Sequence, residues 1–231
     1  MTEEKKTEGR WKLPGEAAYL LGIPLLALGV LFMVKADFGV SMVVAPAYLV
    51  HLRFPVLTFG MAEYLIQALL LLSLAVIRRG FSKAWLFSFI TALYYALVLD
   101  GLSFLIIPQP AGLLAWRIAY FLLGTLIASL GIALLFRTDI PLLVYELFVK
   151  EMAGVLGLAV HRFKFLYDMS SLTLAALLTF LFFGEIRGIG WGTLAAALGN
   201  GWIIGGLGSL LDRRFKILPS RLLPEFFREK P

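Results

Sequence analysis

The sequence predicts an all-α polytopic membrane protein, six transmembrane helices arranged as two inverted three-helix repeats, each with a short helix after its first span. Three observations carry that prediction. The 231 residues are 60% hydrophobic and only 16% charged, with a mean hydropathy of +0.88, far above that of a domain with a water-facing polar surface. Apolar runs of about 20 residues, the length needed to cross a bilayer as a helix, recur along the whole chain. A pattern of glycines and charges in the first half returns in the second at constant spacing.

The runs fall at 16–35, 56–77, 84–107, 113–136, 165–184 and 190–211. Pro14 and Gly15 precede the first, Arg78-Arg79-Gly80 follows the second, Pro108-Gln109-Pro110 separates the third from the fourth, and Asp212-Arg213-Arg214 closes the sixth. The expected organisation is a cytoplasmic tail over 1–15, a first repeat over 16–107, a linker over 108–112, a second, inverted repeat over 113–211, and a basic cytoplasmic tail over 212–231. Spans of that length leave no room for a soluble catalytic domain. The first run is too long for a cleavable signal, and no small-residue cleavage site follows it.

Orientation follows from the cations, because translocating a positive loop is disfavoured. With the N-terminus inside, 17 of the 21 Lys and Arg lie on the cytoplasmic side, and only Lys35, Arg53, Arg117 and Arg187 lie opposite. Both termini are therefore expected in the cytoplasm of a bacterial inner-membrane protein. The formal charge of +6 reads as topology, since its basic residues are spread between apolar runs and form no soluble face for nucleic acid. The absence of cysteine excludes disulfide scaffolds and thiolate chemistry, and His51 and His161 are too far apart for a local metal motif, so neither metal nor cofactor is expected.

Gly22, Gly29, Lys35 and Asp37 match Gly124, Gly131, Arg137 and Asp139, each displaced by 102 residues. Each copy is followed by a short stretch (38–52; 140–161) and two further spans. A unit of three spans, an odd number, forces its second copy upside down, the architecture of many secondary transporters. Duplication that only builds a stable bundle is the alternative.

The run Lys35-Ala36-Asp37-Phe38-Gly39-Val40-Ser41, continuing through Ala45-Pro46-Ala47-Tyr48 to Ile77-Arg78-Arg79-Gly80-Phe81, resembles the YczE/YyaS/YitT-like integral membrane proteins of bacteria. Leu99-Asp100, Lys164-Phe165-Leu166-Tyr167-Asp168 and Gly188-Ile189-Gly190-Trp191-Gly192-Thr193 extend the resemblance over most of 16–211, while Met42 stands where many such proteins carry proline. The resemblance implies a fold and a membrane location, and no biochemical activity.

Candidate site residues are polar groups where hydrocarbon makes them expensive. Glu63, Asp100 and Asp168 lie inside or near spans; facing the interior, they suit a proton-coupled carrier, whereas Asp100 and Asp168 at headgroup level would pair with Arg117 or Lys164. Asn200 sits mid-span between glycines and either lines a pathway or bonds a neighbouring helix. Asp37 to His51 offers Gly39 for an unusual turn, Ser41 as a helix cap, and a short helix over 42–52. Buried, that helix would aim its N-terminus at an anion; on the surface it would turn His51 and Arg53 to water. Lys35–Asp37 and Arg137–Asp139 read mainly as helix-end tethers. Glu146, on a helical stretch 144–152, lies either on an interfacial helix or on the inverted counterpart of the first short helix, nearer the centre. Tyr94 and Tyr95 lie mid-span, with pocket and core both open, and Trp11, Trp85, Trp116 and Trp191 fall near span ends, as an aromatic belt would.

An intramembrane hydrolase is not expected. Ser209 has no histidine in a late span to deprotonate it, and neither a nucleophile elbow nor a His-Glu-x-x-His pair occurs. The expected function is a small-molecule carrier with a site between the repeats, lined by Glu63, Asp100, Asp168 and Asn200, with Ser41, Asp37, Glu146 and Tyr94 as further contributors. The alternatives are a substrate-binding subunit of an ATP-driven importer and a scaffold that regulates a partner enzyme. Expected partners are the lipid bilayer, an unidentified small molecule, and a second copy or partner membrane subunit.

Overall fold

The computed structural model describes residues 11–106, 112–138 and 140–218. Within them the order is β1 (Trp11–Pro14), α1 (Gly15–Ala36), α2 (Ala45–Arg53), α3 (Phe59–Ile77), α4 (Lys83–Leu105), α5 (Leu114–Leu135), α6 (Val144–Leu156), α7 (Val160–Phe183), α8 (Trp191–Arg214) and β2 (Phe215–Leu218). Six of the helices, α1, α3, α4, α5, α7 and α8, are long and apolar enough to cross a membrane. At 1.5 Å per residue, the 22 residues of α1 reach about 33 Å, enough for the hydrocarbon layer. The span expected from 165 begins earlier, at Val160.

The repeat is built into the contact between α1 and α5. A Cβ placed on Gly131 would lie 2.6 Å from the Gly22 carbonyl oxygen, and one on Gly124 would lie 2.7 Å from that of Gly29. Gly22 therefore faces Gly131 and Gly29 faces Gly124, the partners that antiparallel helices require. Positions 102 apart exchange partners across one local axis. Glycine lets the two backbones approach where a side chain would hold them apart.

The short helices lock the halves together. α2 packs on α3 of its own half and on α7 of the other, while α6 packs on α7 of its own half and on α3 of the other. Equivalent threonines fasten the linkers that lead into them. Thr193 donates to the Val40 carbonyl (2.7 Å), and Thr91, 102 residues earlier, to the Pro141 carbonyl (3.0 Å). Gly39, at φ 97°, passes so close to Gly190 that a Cβ would lie 2.6 Å from its nitrogen, which accounts for the glycine there.

The symmetry is incomplete. α3 packs along α4, whereas α7 and α8 make no comparable contact among the described residues, and α8 leans mainly on α5. Trp191, Leu198 and Trp202 on α8 are largely exposed, as side chains facing lipid would be.

Other features add to the expectations or correct them. Within the expected tail segments and at their edges, β1 and β2 pair in parallel, Trp11 opposite Phe215 through Pro14 opposite Leu218. That pairing brings both ends of the bundle to one side. Trp85 is buried in the core against Phe81 and does not belong to a surface belt. Ser41 caps through its backbone carbonyl, which accepts from Val44 and Ala45, and not through its hydroxyl. Asp139 and parts of the expected linker and tails lie outside the described residues.

Candidate functional site

The polar centre forms where the N-terminus of α6 meets the middle of α3. Gln67 is the ninth of the 19 residues of α3, and its Oε1 accepts the Val144 N–H at the start of α6 (3.1 Å). The chain after α5 thus dips to mid-depth, and α6 runs back from there. Irregular backbone at such depth survives because protein surrounds it. One residue on, the Tyr145 hydroxyl donates to Glu63 Oε2 (2.9 Å). Glu63 and Gln67 are both 0% exposed.

Three buried polar atoms here have no hydrogen-bond partner among the described residues: Glu63 Oε1, Gln67 Nε2 and Glu146 Oε2. Glu146 belongs to the first turn of α6 and lies within electrostatic reach of Glu63. Burial pushes the Glu146 carboxyl above its ordinary value, with Lys164 pulling the other way. Tyr95 from α4 and Tyr167 from α7 also lie within electrostatic reach of Glu63. The cluster thus draws on both repeats: Glu63, Gln67 and Tyr95 from the first, Tyr145, Glu146 and Tyr167 from the second. Among the described residues, no group of three or more His, Cys, Asp or Glu is arranged to hold a metal ion.

The other expected site residues are placed elsewhere. Asp100 accepts from the Thr58 hydroxyl (2.5 Å) and the Gly60 N–H (2.7 Å), capping α3 from α4, and it does not pair with Arg117. Arg117 instead binds Asp37 (3.1 Å), joining the end of α1 to the start of α5. Asp168 pairs with Lys164 one turn earlier (2.7 Å) at the edge of the cluster. Arg137 grips Asp212 through two nitrogens (2.6 Å each), fastening α5 to the end of α8.

Tyr94 has a local duty. Pro24 inside α1 has no N–H, which frees the carbonyl four residues before it, and the Tyr94 hydroxyl donates to that Leu20 oxygen (3.2 Å). Asn200, on α8, stands apart from the α3–α6 seam, and its buried Oδ1 has no partner among the described residues. Ser41 lies at the start of α2. Two amides there bond its own carbonyl and Pro46 has none, which leaves that N-terminus poorly suited to an anion.

Glu63 and Glu146 are thus the expected residues that the fold brings together. Gln67, Tyr145 and Tyr167 join them without having stood out in the sequence. A glutamine one turn after a glutamate within the same span is the signal that could have found the first of these.

The fold and its polar seam define a multi-pass helical membrane protein built from two inverted halves. A family of unknown function, DUF6198, matches residues 14–208, and the chain belongs to it. No curated protein and no solved structure matches the chain.

Proposed function

We propose that the protein is a proton-coupled secondary carrier of a small molecule in a bacterial inner membrane, with both termini cytoplasmic, a carrier and not an enzyme. The observation that carries this reading is the pair Glu63 and Glu146, one from each inverted half, each with one buried carboxylate oxygen left unbonded among the described residues at the interface between halves. Two carboxyls taken out of water within electrostatic reach of each other resist ionising together. Exchange of a proton for a positive partner at such a pair is the elementary step of coupling. Inverted halves that meet at a mid-depth site supply the second requirement, two related ways for the site to open. The YczE/YitT-like kinship read from the sequence fits this reading at the level of fold.

The test is a liposome assay under an imposed pH gradient with a dye inside. Adding the transported solute outside should dissipate the gradient with the wild-type chain and leave it standing with Glu63→Gln. Dissipation by Glu63→Gln at the wild-type rate, or no proton movement with any of a broad panel of cations, amino acids and organic acids, would overturn the proposal.

A further inference from the structure

The groups left unbonded in the seam specify what it takes. Two are acceptors that carry or share negative charge, Glu63 Oε1 and Glu146 Oε2; the third is a donor, Gln67 Nε2. The orientation of the Gln67 amide is set by its neighbour. Val144 presents an N–H, so the amide must turn its oxygen there, and its nitrogen points elsewhere. That nitrogen is turned toward Glu63, so its nearest acceptor is in the seam itself.

We infer that the Glu63–Glu146 seam binds a compact organic cation with at least two N–H donors, such as an ammonium, amidinium or guanidinium group. The inference rests on the carrier reading and names its substrate class. Other chemistries leave the two free carboxyl oxygens poorly met. An anion meets two carboxyls. A hard metal cation takes about six oxygens, and the seam offers two free ones. A quaternary ammonium has no hydrogen to donate. A cation with N–H bonds closes both charge-assisted contacts at once, and such contacts are the strong ones.

The surrounding charges agree. Lys164 is the cation that faces Glu146, shared with Asp168 at 2.7 Å, and no cation among the described residues is set against Glu63. Tyr167 from α7 and Tyr95 from α4 flank the carboxyls. The Tyr145 hydroxyl already occupies Glu63 Oε2, which leaves Oε1 as the open face. Because each carboxyl belongs to a different half, a cation that touches both joins the halves, and a proton on each carboxyl releases them.

The experiment titrates the full chain in detergent, weakly buffered, with guanidinium, methylammonium, tetramethylammonium, sodium and acetate, reading heat and released protons. Guanidinium and methylammonium should bind and expel protons, and the other three should do neither. Glu63→Gln and Glu146→Gln should each weaken binding by about tenfold or more, the loss of a hydrogen bond to a charged group. If Glu63→Gln does not fold, Glu146→Gln carries the comparison, because that residue keeps part of its surface exposed while its carboxyl oxygen is buried.

Binding of acetate, equal binding of sodium or tetramethylammonium, or no binding of either N–H cation at millimolar concentration would overturn the inference. The two proposals fail separately. Guanidinium binding with no flux in liposomes removes the carrier and leaves the ligand class; proton-coupled flux of an anion does the reverse.

Discussion

Alanine at Gly131 places a methyl group where two backbones already touch. Its Cβ would lie 2.6 Å from both the Gly22 carbonyl oxygen and the Leu26 nitrogen, and ordinary contact begins at 3.4 Å, so α1 and α5 must part by about 0.8 Å. Neither obstacle can rotate away. Overpacking of this kind costs about 1–3 kcal/mol. Alanine at Gly22, on the other side of the same crossing, meets mainly the Leu135 side chain at 2.9 and 3.0 Å, which can change rotamer, with the Gly131 oxygen further off at 3.1 Å. Gly22→Ala should therefore cost distinctly less. Gly201 on α8 has open space, with nothing within 4 Å of the point a Cβ would occupy, so Gly201→Ala should stabilise its helix by up to about 1 kcal/mol. Equilibrium unfolding of the three variants in mixed micelles checks the order. Equal costs at Gly22 and Gly131, or a harmless Gly131→Ala, would mean that the two helices do not meet through these glycines.

Further outcomes follow from single contacts. Asp100→Ala removes the acceptor for Thr58 and the Gly60 N–H and should cost about 1–2 kcal/mol in the same unfolding assay, as the loss of a helix cap does, while proton flux per folded molecule stays unchanged. Tyr94→Phe should cost about 0.6 kcal/mol, a typical membrane hydrogen bond, and should cost almost nothing alongside Pro24→Ala, which restores an N–H for the Leu20 carbonyl; equal costs in both backgrounds would count against that contact. The Glu146 carboxyl is pushed above its ordinary value of 4.5 in the folded protein, so its contribution to stability is fully present below that value and is lost as pH rises through the elevated one. Melting temperature across that range should fall less for Glu146→Gln than for the wild type, and parallel curves would contradict the burial of that carboxyl.

The features readable from sequence are those with a local or periodic signature. Apolar runs mark the spans because hydrocarbon demands length, and the 102-residue repeat exposes both the inversion and the glycines that realise it. Glu63 stands out because an acid so placed needs a reason. What escapes depends on contacts distant in sequence. Asp100 looks like a pathway acid until Thr58 and Gly60, some 40 residues earlier, prove to need it as a cap. Tyr145 reads as one face of an amphipathic stretch, and only the docking of α6 against α3 carries it to Glu63. Tyr94 answers a vacancy created by Pro24 on another helix. β1 and β2 are 4 residues each, from opposite ends of the chain, too short to leave a pattern.

Carbodiimide labelling of the chain in proteoliposomes, followed by peptide mass spectrometry, bears most directly on the buried carboxyl pair shared by the inverted halves. An apolar carbodiimide should modify Glu63, a water-soluble one should not, and guanidinium outside should suppress the reaction. Labelling of Glu63 by the water-soluble reagent to the same extent, or labelling that ignores guanidinium at every concentration, would mean that this carboxyl is neither enclosed nor part of a cation site.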